Sequence, residues 1–132
     1  MRETRSRIMR KKYWDLQLFL LSEYLNKLGN NKYACRLCSA SNLSRRGALN
    51  HFRYRHRGIF EEARRKALLN LVLRYKYIPL GDFRSTEIRI AKEIAEVRRD
   101  IEFVMLVIGR GSHRKTYPVL YHTSYFEQRE SD

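Results

Sequence analysis

Both cysteines of the chain and two of its four histidines fall in one short stretch, CRLCSASNLSRRGALNHFRYRH, residues 35–56. Two residues separate Cys35 from Cys38, twelve separate Cys38 from His51, and four separate His51 from His56. Thiolate sulfur and imidazole nitrogen in a two-plus-two set are the donors of a closed, tetrahedral, structural zinc site. Each interval has a physical reason. Two intervening residues make a tight knuckle that aims both sulfurs at one point. Twelve carry the chain off a hairpin and into a helix. Two histidines five positions apart stay roughly on one helical face if the last turn loosens. One ion then fixes hairpin to helix in a segment too short to do so by core burial alone. With all four positions taken, the ion has no open site for catalysis. Thiols this close in sequence make a poor structural disulfide, and the spacing points to metal or redox chemistry in a reducing compartment. The competing reading is a CxxC without metal beside two unrelated histidines.

These ligands need elements to hold them. Residues 1–12 carry six Lys or Arg and read as a basic arm or the frayed start of a helix. Trp14, Leu18, Leu21, Leu25 and Leu28 recur at helical spacing, which predicts one apolar helix face ended by Gly29 and Asn30. That stripe either packs on the rest of the chain or forms the seam of a homodimer. After the cysteine–histidine stretch, ARRKALLNLVLRYKY predicts a wide-faced, well-buried helix that breaks at Tyr77–Gly81. STEIRIAKEIAEVRRD predicts another, capped by Ser85, with Ile90, Ile94, Val97 and Ile101 on its core side. FVMLVI (103–108) reads as a buried strand. GRGSHRK is a basic turn with glycines at 109 and 111, and TYPVLYH (116–122) is a second strand that Pro118 places at a sheet edge. The class is α+β, divided as 1–29 (arm and amphipathic helix), 30–58 (the metal module) and 59–132 (an α+β domain with a basic hairpin).

Charge indicates the partner. The 132 residues carry 28 Lys and Arg against 14 Asp and Glu, a formal net charge of +14. No acid lies between Tyr24 and Phe60, while the acids gather in 82–102 and at the end of the chain. Such a chain seeks polyanions, nucleic acid above all. No apolar run is long enough for a transmembrane helix, and no apolar core follows the charged N-terminus as in a signal peptide, so the expected location is intracellular, in a cytoplasm or a host's cytoplasm. Glu87, Glu93, Glu96, Asp100 and Glu102 invite a nuclease reading. Most of them alternate with bases along one amphipathic helix, which surface ion pairing explains without catalysis. No enzyme is expected, and His113 and His122 have no serine or cysteine nucleophile beside them in a supporting motif.

Residues 33–56 resemble the Cys2His2 zinc-finger family, with Tyr33 two before Cys35 where that family has an aromatic. The family's core aromatic falls on Asn42 and its core leucine on Ala48; leucines stand one place later, at Leu43 and Leu49, so the small core is packed in a shifted way. The resemblance implies a ββα finger with base-facing helix positions at Ser44, Arg46, Gly47 and Asn50. Arg46 then reads guanine and Asn50 adenine, while Gly47 reads nothing. A single finger spans about three base pairs, so it can also serve as a clamp, with Arg45, Arg46, Arg53, Arg55 and Arg57 on phosphates. The second half has the outline of a winged helix, its wing carrying Arg110, His113, Arg114 and Lys115 to the backbone; the alternative is a plain packing domain with a solvated basic loop. In overall style the chain also resembles small, basic, single-finger DNA-binding proteins encoded by viruses of hyperthermophilic archaea. The function expected is zinc-dependent DNA binding in transcriptional regulation. A protein–protein adaptor with the finger as a rigid knob is the alternative, and a nuclease a third.

Overall fold

The computed structural model describes residues 5–130, and the side chains of 128–130 are not described. The protein is mixed helix and strand, as expected of an α+β chain: α1 (Arg5–Leu21), β1 (Leu25–Gly29), β2 (Lys32–Cys35), α2 (Arg45–Arg55), α3 (Arg57–Tyr75), β3 (Tyr77–Pro79), α4 (Ser85–Val97), β4 (Ile101–Ile108), β5 (Lys115–His122) and α5 (Ser124–Glu130). Its contacts divide it into two compact units. One is Trp14–Ala67; the other combines Met1–Tyr13 with Leu68–Asp132. The sequence boundary near Gly58 falls in the first turn of α3, inside the first of these units.

In the unit Trp14–Ala67, α1 ends earlier than the leucine stripe predicts. A short 3-10 turn at Ser22–Tyr24 leads into β1, which pairs antiparallel with β2, Leu25 opposite Cys35. Gly29 and Asn30 therefore serve a hairpin, not a helix stop, and Asn31 completes it at φ +56°. The stripe is split accordingly. Leu18, Leu21 and Leu25 are buried with Leu49, Phe52, Phe60 and Ala63 in one apolar cluster, Trp14 packs against it, and Leu28 is exposed. Three of the five residues expected in a dimer seam are spent on this chain's own core. Of the expected basic arm, residues 5–12 belong to α1, and the first four lie outside the described residues.

The other unit is built around a three-stranded antiparallel sheet in the order β3-β5-β4. Ile78, Leu80, Ile90, Ile94, Ile101, Val119 and Leu120 form its core. α3 ends at Tyr75, so the helix breaks at Tyr77–Gly81 as expected, and the break holds a strand, β3. Three expectations are corrected here. α4 stops at Val97, which is 83% exposed, and its buried residues are Glu87, Ile90, Ala91 and Ile94; Ile101 is buried from β4 instead. Ser85 is the first helical residue, the cap position falls to Arg84, and no side chain caps the helix. Lastly, β5 is the central strand despite Pro118. The Pro118 carbonyl accepts from Leu80 N–H (2.9 Å) on the β3 side, so the missing N–H also faces that side, just where β3 has ended. The β4 ladder runs past it with Met105 opposite Pro118. Among the described residues α4 is the only helix between β3 and β4, so the helix-turn-helix pair of a winged helix has one helix there.

Candidate metal centre

β2 delivers the first ligand. Cys35 ends the strand, and its N–H donates to Ala40 O (2.9 Å), while Tyr33 and Leu43 exchange two backbone bonds of 2.8 Å each. The chain from 36 to 39 is thereby folded into the knuckle that the two-residue spacing predicts, with β1 added on the outer side of β2. Asn42 takes φ +57° at the return, a conformation an aromatic adopts less easily than asparagine. Leu37 N–H donates to Cys35 Sγ (3.3 Å).

α2 delivers the histidines. Ser44 caps it, its hydroxyl accepting from Gly47 N–H at 3.0 Å. The helix therefore starts at Arg45 and places His51 two turns in. His56 sits just past the end in a non-helical conformation, φ −133° and ψ 58°, with its N–H on Phe52 O. That break between α2 and α3 brings the second imidazole back beside the first, ring centroids 5.0 Å apart. Phe52, fully buried, packs its ring against both. Leu49 is buried and Leu43 half-buried against the same cluster, the shifted packing expected, and α1 and α3 supply the rest through Leu18, Leu21, Phe60 and Ala63.

The donor atoms converge. Cys38 Sγ lies 3.3 Å from His51 Nε2 and Cys35 Sγ 3.5 Å from His56 Nε2, and all four donor atoms lie within 4.8 Å of one another. A tetrahedral ion with bonds of about 2.3 Å to sulfur and about 2.0–2.1 Å to nitrogen needs sulfur–nitrogen edges of about 3.5 Å. The set matches on those edges. Partial burial, then the neighbouring His56 and Arg55, push the His51 imidazole below its usual pKa and so toward the neutral, metal-binding form. These four residues can hold one metal ion.

Around them the expected nucleic-acid residues fare unequally. Arg46, Asn50 and Arg53 share one face of α2 by helical spacing, with Arg46 and Asn50 exposed. Tyr54, which the sequence reading did not select, joins them and is 77% exposed; an aromatic next to bases on an acid-free helix is the signal that was there to be used. Arg53 is half-buried, its guanidinium 5.4 Å from the centre of the Phe60 ring. Arg45 is engaged by Asp15 (3.2 Å) and stacked over Trp14. Ser44 is exposed but used as the cap. Arg55, off that face, and Arg57, opening α3, are exposed. Arg110, Arg114 and Lys115 are exposed in the other unit, at the tip between β4 and β5.

His122 does have a serine beside it. His122 Nε2 lies 3.2 Å from Asp100, and its Nδ1 lies 2.6 Å from Ser124 Oγ while accepting from Ser124 N–H at 3.1 Å. Arg98 donates twice to Asp100, at 3.0 and 2.7 Å, which holds that carboxyl down at about 2. Aspartate, histidine and serine thus stand in line, but Ser124 occupies the ring nitrogen with its own backbone as well as its hydroxyl. The cluster ties the start of β4 to the end of β5 and the start of α5.

Comparison of the chain with family models, with curated proteins and with solved structures finds no match.

Proposed function

We propose that the bound ion is zinc and that the protein is a zinc-dependent DNA-binding protein acting in transcriptional regulation. The observation that carries this is the convergence of two sulfurs and two imidazole nitrogens beside a helix that exposes Arg46, Asn50 and Tyr54. A closed set of this kind does structural work: it fixes the angle at which α2 leaves the β2 knuckle. Arg46 and Asn50 are long and short donors suited to guanine and adenine edges. Tyr54 offers a ring to sugar or base, and Arg57 extends the charge. Arg45, held by Asp15 and Trp14, orients α2 and takes no part in the phosphate clamp. In the other unit, the sheet order β3-β5-β4 supports reading the β4–β5 hairpin as a wing, with Arg110, Arg114 and Lys115 on phosphates.

The test is a mobility shift with random duplex pools, with and without a chelator, beside metal quantification of the same material. Zinc near one equivalent per chain, and binding lost when it is stripped, are expected. Metal-free protein that binds equally well overturns the proposal, and zinc-loaded protein with no affinity for any duplex leaves the finger as a protein-binding knob. Asn50→Ala should relax base preference at one position of the selected site without abolishing binding.

A further inference from the structure

The run FVMLVI, expected to be buried, is not. The outer half of the β4–β5 hairpin stands clear of its unit: β3 ends at Pro79, opposite Val119, and beyond that pair the ribbon has two strands only. Met105, Leu106, Val107 and Ile108 are 50, 39, 51 and 59% exposed, and Tyr117 across from Leu106 is 40% exposed. β4 is also an edge strand, with β5 its one neighbour. Apolar edge strands pair with other strands unless charge, proline or a bulge protects them. From Phe103 to Gly109 this edge has no charge and no proline, and its ladder with β5 is unbroken from Ile101 to Ile108.

We propose that β4 is a homodimerisation edge, on which a second copy of this chain pairs antiparallel through its own β4 about a two-fold axis at Leu106. Charge complementarity selects this occupant and this register. With Leu106 opposite Leu106, Val104 faces Ile108, and Glu102 of each copy comes opposite Arg110 of the other. Glu102 is the one charged residue within the strand and Arg110 the first beyond its end. Both are exposed; Glu102 lies on the side of β4 that carries Leu106 and Ile108, where the Tyr121 hydroxyl donates to its carboxylate, and Arg110 stands two residues past the end of the strand, after Gly109 at φ +100°. The two-fold repeats the pair, so each end of the ribbon is closed by opposite charges. A second copy covers the apolar residues that water now meets. The pairing is independent of the metal centre, but it engages Arg110, which the proposed wing places on a phosphate.

The experiment is analytical ultracentrifugation of the full, metal-loaded chain at low and high salt. At net charge +14 two copies repel, so added salt should strengthen the dimer, whereas it weakens association with DNA. Leu106→Lys, exposed and therefore compatible with folding, should give monomer. Glu102→Arg alone and Arg110→Glu alone should each weaken the dimer at least tenfold, and the double exchange E102R/R110E should restore it. Wild-type protein that is monomeric at every concentration and salt overturns the proposal, as does a Leu106→Lys protein that dimerises like wild type. A monomer whose β4 amides become protected from hydrogen exchange only on addition of duplex assigns the ribbon to nucleic acid and overturns it too.

Discussion

Two of the four candidate ligands have a neighbour acting on them. Leu37 N–H faces the Cys35 sulfur, and burial with His56 and Arg55 keeps His51 toward its neutral form. Because an ion held by these four residues would close β2 onto α2, Cys35→Ser should lose metal binding and destabilise the unit Trp14–Ala67 by more than about 3 kcal/mol, as removing a structural site does. Thermal unfolding of wild type and variant, each with and without EDTA, checks this: EDTA should lower the wild-type midpoint and leave the variant's alone, and an indifferent wild type contradicts it. Asp100 gives a pH prediction. Its carboxyl titrates at about 2 when folded against 3.8 when free, chiefly because of Arg98. A depressed folded value contributes stability above the free value and loses it as pH falls. The contribution of the Arg98–Asp100–His122 cluster should therefore be intact above about pH 4 and disappear toward pH 2. Asp100→Asn should flatten that part of an acid-unfolding curve, and superimposable wild-type and variant curves below pH 4 contradict the assignment.

At the scale of elements, the two-residue and four-residue ligand spacings each produced the local shape they predict, a knuckle after β2 and a helix end that loosens at His56. The failures have physical causes. A leucine spacing of three and four runs on through Leu25 and Leu28, but β2 offers a backbone ladder to Leu25–Gly29, and a strand needs only one of those leucines inside. An apolar run such as FVMLVI reads as buried whichever way the sheet ends, since solvent access depends on how far β3 reaches along β5. Pro118 is tolerated centrally because its lost donor falls beyond β3. Asn42 holds the position where a Cys2His2 finger would carry its aromatic, and Phe52 supplies the buried ring, joined by residues of α1 and α3. Phe52→Ala should thus cost about 3–5 kcal/mol in denaturant unfolding. A loss below about 1 kcal/mol would mean the cluster does not depend on that ring.

For the whole molecule, net charge sets the long-range behaviour. Contacts to about four phosphates would cost on the order of a hundredfold in affinity between about 50 and about 200 mM salt. A steep linear fall of log affinity with log salt is the expected result for DNA, and a flat profile favours the adaptor reading. Among the described residues no helix is long and apolar enough to cross a membrane. The acid-free run that suggested a polyanion partner holds five of its eight bases on α2 and the start of α3, with one of them, Arg45, engaged by Asp15, and the other three, Lys27, Lys32 and Arg36, on β1, β2 and the knuckle.

Residue type and spacing alone identified the four residues that can hold a metal, the mixed α+β class, the helix that carries the histidines and the basic tip of the hairpin, because coordination chemistry, net charge and local turn geometry act over a few residues and are written in them. Tertiary structure alone decided that α1 stops at Leu21, that β5 is central, that Asp100 meets His122 and that the β4 ribbon is bare. Each of those outcomes depends on which distant segment supplies a ladder, a partner or a cover, and a one-dimensional pattern does not carry that competition.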